Sequence, residues 1–209
     1  MKPSEPKTVK QEQNLTELFR LFLHTIGEDP TREGLQETPA RAARAWQEWL
    51  RGYQQDPADI FKTFDHRTGK AAEINADEAN VDEPNVDEMV IVRDIPVYSH
   101  CEHHLAPFFG VAHIAYVPNE RVIGLSKIPR LVQVFASRLQ MQERLTNQIA
   151  DTLMTGLEPH GVGVVVTCRH LCVESRGVRQ SGTRTTTSAL RGCLKTDQDR
   201  RREFMDLIK

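Results

Sequence analysis

Side chains able to ligate a metal or exchange a proton crowd into His100-Cys101-Glu102-His103-His104. Cys101 and His104 form C-x-x-H, a spacing that lets one tight loop offer a thiolate and an imidazole to a single Zn²⁺. Two ligands do not make a site. The best partner segment is His170-Leu171-Cys172, which closes a Val-rich strand-like run. Strand side chains repeat every two residues, so His170 and Cys172 are expected to project to one face. A Cys-His-Cys set leaves the fourth tetrahedral position for water or substrate, as a catalytic zinc requires. Spacing alone leaves the register open. His103 can stand in for His104, and Cys168 for Cys172, although a small buried hydrophobe is the plainer reading of Cys168.

A second set of residues has the chemistry to hold an anion. Lys127 and Arg130 form an i,i+3 cationic pair at an expected helix N-terminus, where free N–H groups and the helix dipole already favour negative charge. With Arg176, Arg179 and the Arg41-Arg44 pair, up to six cations are available for a polyphosphate. Each alone is ordinary surface charge; together, in an acidic chain, they point to a phosphorylated small molecule. Gln142-Glu143 opens another expected helix. A carboxylate there suits the dipole, but it also suits paired N–H donors of a purine such as guanine, since an ionised carboxylate only accepts.

The rest of the chain must position these groups. Its 209 residues suit one large domain or one domain with an N-terminal appendage, and can bury a core without disulfides. Lys and Arg total 27 against 29 Asp and Glu, a net charge of -2, which argues against a general nucleic-acid binder. The apolar runs are strand-sized, so no membrane span is expected. The polar start MKPSEPKTVKQEQN lacks a signal peptide's apolar stretch, and the four cysteines read as reduced thiols of a cytoplasmic protein.

In order, residues 1 to about 13 read as a polar tail, and Asn14 with Glu17 as the cap of a first helix. Thr38-Pro39 then opens a helix expected to reach about Tyr53. Residues 63–87 read as an acidic loop, separating an N-terminal tail and helical region, 1–62, from a catalytic domain, 88–209. Met89 to Tyr98 is the first long strand, with a bulge or edge near Pro96, and Phe109 to Val117 returns. A helix from Ser126 follows, with Ile128, Leu131, Val132, Phe135 and Leu139 as its buried stripe, and then one from near Gln142, stopped by Pro159. Val162 to Val173 and Thr185 to Leu194 are two more strands, and Thr196 with Asp199 caps a last helix. This β-β-α-α-β-β order gives an α+β class with an antiparallel sheet.

The chain resembles the GTP cyclohydrolase I family, zinc enzymes that open pterin synthesis. The resemblance lies in GEDPTREGLQETPARAARAW (27–46), VDEMVIVRDIPVYSHCEHHLAPFFG (86–110), VIGLSKIPRLVQVFASRLQMQERLTNQIA (122–150), GVGVVVTCRHLCVESRGVR (161–179) and REFMDLI (202–208). It covers the chain from about residue 14 onward, with CEHH, GLSK, QERLT and H-x-C intact and in order. The acidic stretch around residues 66–85 is longer than the family's pattern. The resemblance implies a T-fold, a four-stranded antiparallel sheet with two helices on one face, preceded by N-terminal helices. It further implies a homodecamer with shared active sites and GTP as substrate. Cys101, His104 and Cys172 would ligate zinc; His103 and His170 would transfer protons near guanine C8. Ser126 would assist the ribose steps, Gln142 and Glu143 would hold the base, and Lys127, Arg130, Arg176, Arg41 and Arg44 the triphosphate. Two rival readings differ in their signatures. A nucleobase deaminase pairs H-x-E with P-C-x-x-C, which does not occur here. A zinc-stabilised nucleotide-binding module without catalysis needs a closed fourth ligand, for which His103 is available.

Overall fold

The structure, a computed structural model, describes residues 7–61, 63–65 and 89–209. The chain divides into two compact units, Met1–Arg51 and Gly52–Lys209. Most of the acidic loop, from residue 66 on, lies outside the described residues, as does the start of the polar tail.

The first unit is a helical hairpin of α1 (Lys7–Thr25) and α2 (Thr38–Trp49). The first helix starts earlier than Asn14 because Lys, Gln and Glu are good helix formers and nothing in KQEQ breaks the turn. Glu37, not Thr38, is the N-cap of α2, with Pro39 in the first turn. That helix also ends early: Leu50 closes it through its N–H to the Trp46 carbonyl, and Arg51–Gln54 continues as a 3₁₀ turn.

In the second unit the long strands are β2 (Val90–Cys101), β3 (Pro107–Val117), β6 (Gly161–His170) and β7 (Thr185–Gly192), all antiparallel neighbours. Two helices, α3 (Lys127–Ala136) and α4 (Gln142–Leu157), cover one face. This is the expected α+β T-fold, with one addition. A two-residue strand, β5 (Leu139–Gln140), lies parallel to the end of β2 and makes the order β5-β2-β3-β6-β7. A separate short pair joins β1 (Thr63–Asp65), inside the expected loop, to β4 (Arg121–Ile123).

Ile128, Leu131, Val132 and Phe135 of α3 and Leu145, Ile149 and Leu153 of α4 form stripes at helical spacing, packed on Val97, Phe108, Ala112, Ile114, Val164 and Val166. Truncating a fully buried member such as Leu153 to Ala costs about 2–5 kcal/mol. Behind the sheet, Leu194 of α6 (Cys193–Thr196) and Phe204 of α7 (Gln198–Leu207) cover Ala115, Val117 and Val165. Burial on both faces is why β6 reads as a continuous Val run instead of an alternating one. Where β3 pairs with β6, a Cβ on Gly110 would sit 1.9 Å from the Thr167 carbonyl oxygen, so only glycine permits the approach.

Three local expectations shift. The bulge falls between Val92 and Ile95, where Asp94 takes φ +56° and donates its N–H to His113 Nδ1 at 3.2 Å. Asp tolerates this backbone better than most residues. Pro96 instead stays in register with Val111. Leu139 belongs to β5, beyond the helix it was expected to line. Asp197, not Thr196, caps α7, its carboxylate accepting from the Asp199 and Arg200 N–H groups at 2.9 and 3.2 Å. Among the described residues no helix is long and apolar enough to cross a membrane.

Candidate metal centre and active site

Two strand ends build the centre. Strand β2 runs as far as Cys101, whose carbonyl accepts from the His104 and Leu105 N–H groups at 3.3 and 2.8 Å. The Cys101 N–H donates back to the Ala106 carbonyl at 2.9 Å, and Leu105 closes the turn with φ +56°. A left-handed leucine costs roughly 1–2 kcal/mol, held here by the bonds on either side. The turn brings the C-x-x-H side chains together.

The second end corrects the expectation of a continuing strand. Strand β6 stops at His170, and Cys172 sits in a one-turn helix, α5 (Leu171–Glu174). Ser175 fixes that turn by donating its N–H and its hydroxyl to the Leu171 carbonyl at 2.9 and 2.6 Å. Arg169 closes it with two bonds to Glu174, 2.9 and 2.5 Å. The two-residue alternation therefore does not apply between His170 and Cys172. Helical winding, not pleating, aims the second thiol.

The ligand atoms of Cys101, His104 and Cys172 all lie within 4.8 Å of one another. Burial pushes the Cys172 thiol up, the neighbouring Cys101 adds to it, and Arg176 partly opposes. Two thiols and an imidazole converging in this way suit a divalent cation, which would hold both sulfurs as thiolates. Cys168 is a core residue whose thiol burial pushes up to about 12, and it is outside this group. His103 is more than half exposed, with Nδ1 3.9 Å from Cys101 Sγ.

His170 is held on two sides. Its ring stacks on Phe108, centroids 4.7 Å apart and planes 8° from parallel, as the cross-strand register of the two residues allows. Its Nε2 lies 2.7 Å from Gln142 Oε1. Gln142 is 2% exposed, and its amide nitrogen faces the carbonyls of Val166 and Thr185 and the Thr187 hydroxyl at 3.0, 3.0 and 3.1 Å. Three acceptors around the nitrogen turn the amide oxygen toward His170. That assigns the proton of the neutral imidazole to Nε2 and leaves Nδ1 as the acceptor. Burial lowers the His170 pKa, while Glu143 and Glu174 act against it. The Gln142 tie was legible in part: Gln142 stands three residues before Leu145, on the buried stripe of its helix, where an amide must find partners. Phe108 gave no comparable signal.

Glu143 projects from the exposed side of the first turn of α4. Ser126 is the N-cap of α3, exposed, and its hydroxyl is not spent on the cap. Lys127 and Arg130 follow in the first turn of a helix that packs on β2. The expected cations separate into two kinds. Arg41 pairs with Glu37, and Arg44 lies 3.6 Å from Glu12, all within the first unit. Lys127, Arg130 and Arg176 make no ion pair with a carboxylate among the described residues.

A sequence profile described as GTP cyclohydrolase I matches residues 15–209. The chain is 50% identical over 207 residues to a protein of Janthinobacterium sp. (strain Marseille) named GTP cyclohydrolase 1, covering 99% of this chain and 97% of that one. A protein of the same name from Nitrosospira multiformis is 54% identical over 191 residues, 91% of this chain and 92% of its own. One from Campylobacter jejuni (strain RM1221) is 48% identical over 199 residues, 94% and 95% of the two chains.

Proposed function

This chain belongs to the GTP cyclohydrolase I family, and from that premise we propose that the centre described above is the site at which it opens the imidazole ring of GTP. The reaction takes up one water overall, releases guanine C8 as formate and recloses the ring with ribose carbons as 7,8-dihydroneopterin triphosphate. The observation that carries this assignment is the convergence of Cys101, His104 and Cys172 within 4.8 Å beside a braced His170.

Two sulfurs and one nitrogen suit zinc, with one tetrahedral position left over. A bound zinc would supply Lewis acidity and a water of near-neutral pKa at C8. His170, with Nδ1 as the acceptor, takes a proton on the C8 side, and His103, exposed at the turn, exchanges protons with the opening ring and solvent. The Ser126 hydroxyl serves the Amadori-type rearrangement of the ribose. Glu143 accepts the guanine N–H groups, and Gln142 serves the same pocket by holding His170. Lys127, Arg130 and Arg176 hold the triphosphate without first giving up a carboxylate partner.

Arg41 and Arg44 complete the triphosphate site from a neighbouring subunit of a homodecamer. In support, Leu18, Leu21 and Phe22 on α1, with Ile26 just past its end, form an exposed apolar stripe at a spacing that wants a partner. The outer edge of β7, and that of β2 ahead of the stretch paired with β5, are also open for pairing among the described residues.

Incubation with GTP tests the activity: formate and, after oxidation, a fluorescent pterin are expected. GTP binding without formate would mark a nucleotide-binding module instead. Glu143→Gln is expected to weaken GTP binding about ten- to hundredfold with metal content unchanged. For the shared site, Arg41→Ala/Arg44→Ala and His170→Ala are each expected to be inactive alone and to recover a fraction of activity when reassembled together. No recovery in mixed rings verified by native mass spectrometry would place both groups in one subunit.

A further inference from the structure

Between the ligands Cys101 and His104 lies Glu102, whose side chain and backbone are both tied to residues outside the turn. Arg144 Nη2, from the first turns of α4, meets the Glu102 carboxylate. Arg144 Nε donates to Gln140 Oε1 at 3.1 Å, and the Glu102 N–H donates to the Gln140 carbonyl at 3.1 Å. Gln140 itself is buried and bonded: it is 1% exposed, and its amide nitrogen donates to the Phe135 carbonyl at 3.0 Å and to Gln148 Oε1 at 2.8 Å. Its backbone pairs with Cys101 in the short parallel ladder.

We propose that Arg144 is a positioning residue for metal binding, locking Glu102 to Gln140 so that the 101–104 turn presents Cys101 and His104 at the angle Cys172 requires. The inference rests on reading Cys101, His104 and Cys172 as a metal site. The side-chain bonds of Arg144 go to Glu102 and Gln140 and not to Cys101, His104 or Cys172. An exposed ion pair contributes little to stability by itself. Here its effect is geometric, because a planar guanidinium that bonds two partners at once fixes their relative orientation. The same stretch of helix carries Gln142 against His170. Helix α4 thus sets the spacing between the two ligand-bearing ends.

The test is Zn²⁺ affinity by chelator competition and the visible spectrum of the Co²⁺ form, on the full chain. Arg144→Met keeps the aliphatic stem and is expected to weaken Zn²⁺ binding about ten- to hundredfold. Glu102→Gln should do the same, and the double variant should lose no more than either alone. Arg144→Lys should recover only part, since an ammonium cannot present two bonds in one plane. Arg191→Met removes a different tie of α4, the 2.7 Å pair with Asp151, and should leave affinity within about twofold. Near-UV circular dichroism of the metal-free proteins checks folding, and Glu102→Gln carries the test if Arg144→Met does not fold. Wild-type affinity in Arg144→Met or Glu102→Gln, or an equal loss in Arg191→Met, overturns the proposal. A wild-type chain that takes up no Zn²⁺, or a Cys172→Ala chain that binds it undiminished, overturns the metal reading beneath it.

Discussion

The end of β6 braces itself, while the end of β2 is braced by a helix from elsewhere in the fold. After β6, Arg169 and Glu174 are five residues apart and close their own turn. After β2, Glu102 reaches across to Arg144, 42 positions away. A self-braced turn keeps its shape wherever its neighbours go. A turn braced from outside takes its position from the helix that holds it. The segment after β6 therefore keeps its shape through its own side chains, whereas the turn after β2 takes its orientation from the packed core under α4.

Breaking the meeting of the two ends altogether has the largest effect. Cys101→Ala or His104→Ala on one side and Cys172→Ala on the other are each expected to lose tightly bound metal and turnover, while Cys168→Ala and Cys193→Ala keep both. Metal content after gel filtration decides it. One tightly held equivalent in Cys172→Ala would show that the two ends do not share an ion.

Next come the histidines that flank the candidate ligands. His103→Ala and His170→Ala should retain metal and lose turnover by about 10²–10⁴-fold, the usual range for a missing acid–base group. Metal loss in His103→Ala would move that residue from proton carrier to ligand. A smaller effect is expected from Gln142→Leu, which removes the brace on His170 without touching the ring. We expect kcat to fall with metal content held, and stability to drop by about 1–3 kcal/mol as the Thr187 hydroxyl and two carbonyls lose their donor. Unchanged kcat would mean that Phe108 stacking alone orients the imidazole.

The mildest change is acidification. Burial lowers the pKa of His100 and of His170, Glu143 and Glu174 partly opposing it at the latter, from an ordinary 6.5. Both then bind protons more weakly folded than unfolded, so acid favours the unfolded chain. Stability from this source is full above about pH 6.5 and is lost as the pH falls below it. Melting the metal-free protein at about pH 7.5 and about pH 5.5 checks this, with a flatter response in His100→Asn. A Tm unmoved across that window would remove burial as a determinant.

Several features follow from the order of residues alone. C-x-x-H is a local statement: a turn closed by the bonds of its own backbone brings Cys101 and His104 together wherever it is placed. The apolar stripes of α3 and α4 and the Val run of β6 are local as well, since each follows from a repeat of 3.6 or 2 and a buried face. The acidic balance and the partner segment His170-Leu171-Cys172 are likewise legible in residue types.

The tertiary structure decided what no residue pattern records, whether the partners are near in sequence or distant. A strand reading of His170 and Cys172 assumes the wrong geometry, because the Arg169–Glu174 brace and the Ser175 bonds that wind Cys172 into a helical turn do not show as periodicity. Gln142 reads as a base-holder because its sequence position says helix start, while its partners, Val166, Thr185 and Thr187, come from two strands at least 24 positions away. Arg144 reads as any exposed helix arginine until the fold sets Glu102 against it. Local chemistry is written in the order of residues; which amide braces the His170 ring and which guanidinium braces the 101–104 turn is decided only when the core brings separate elements within hydrogen-bonding distance.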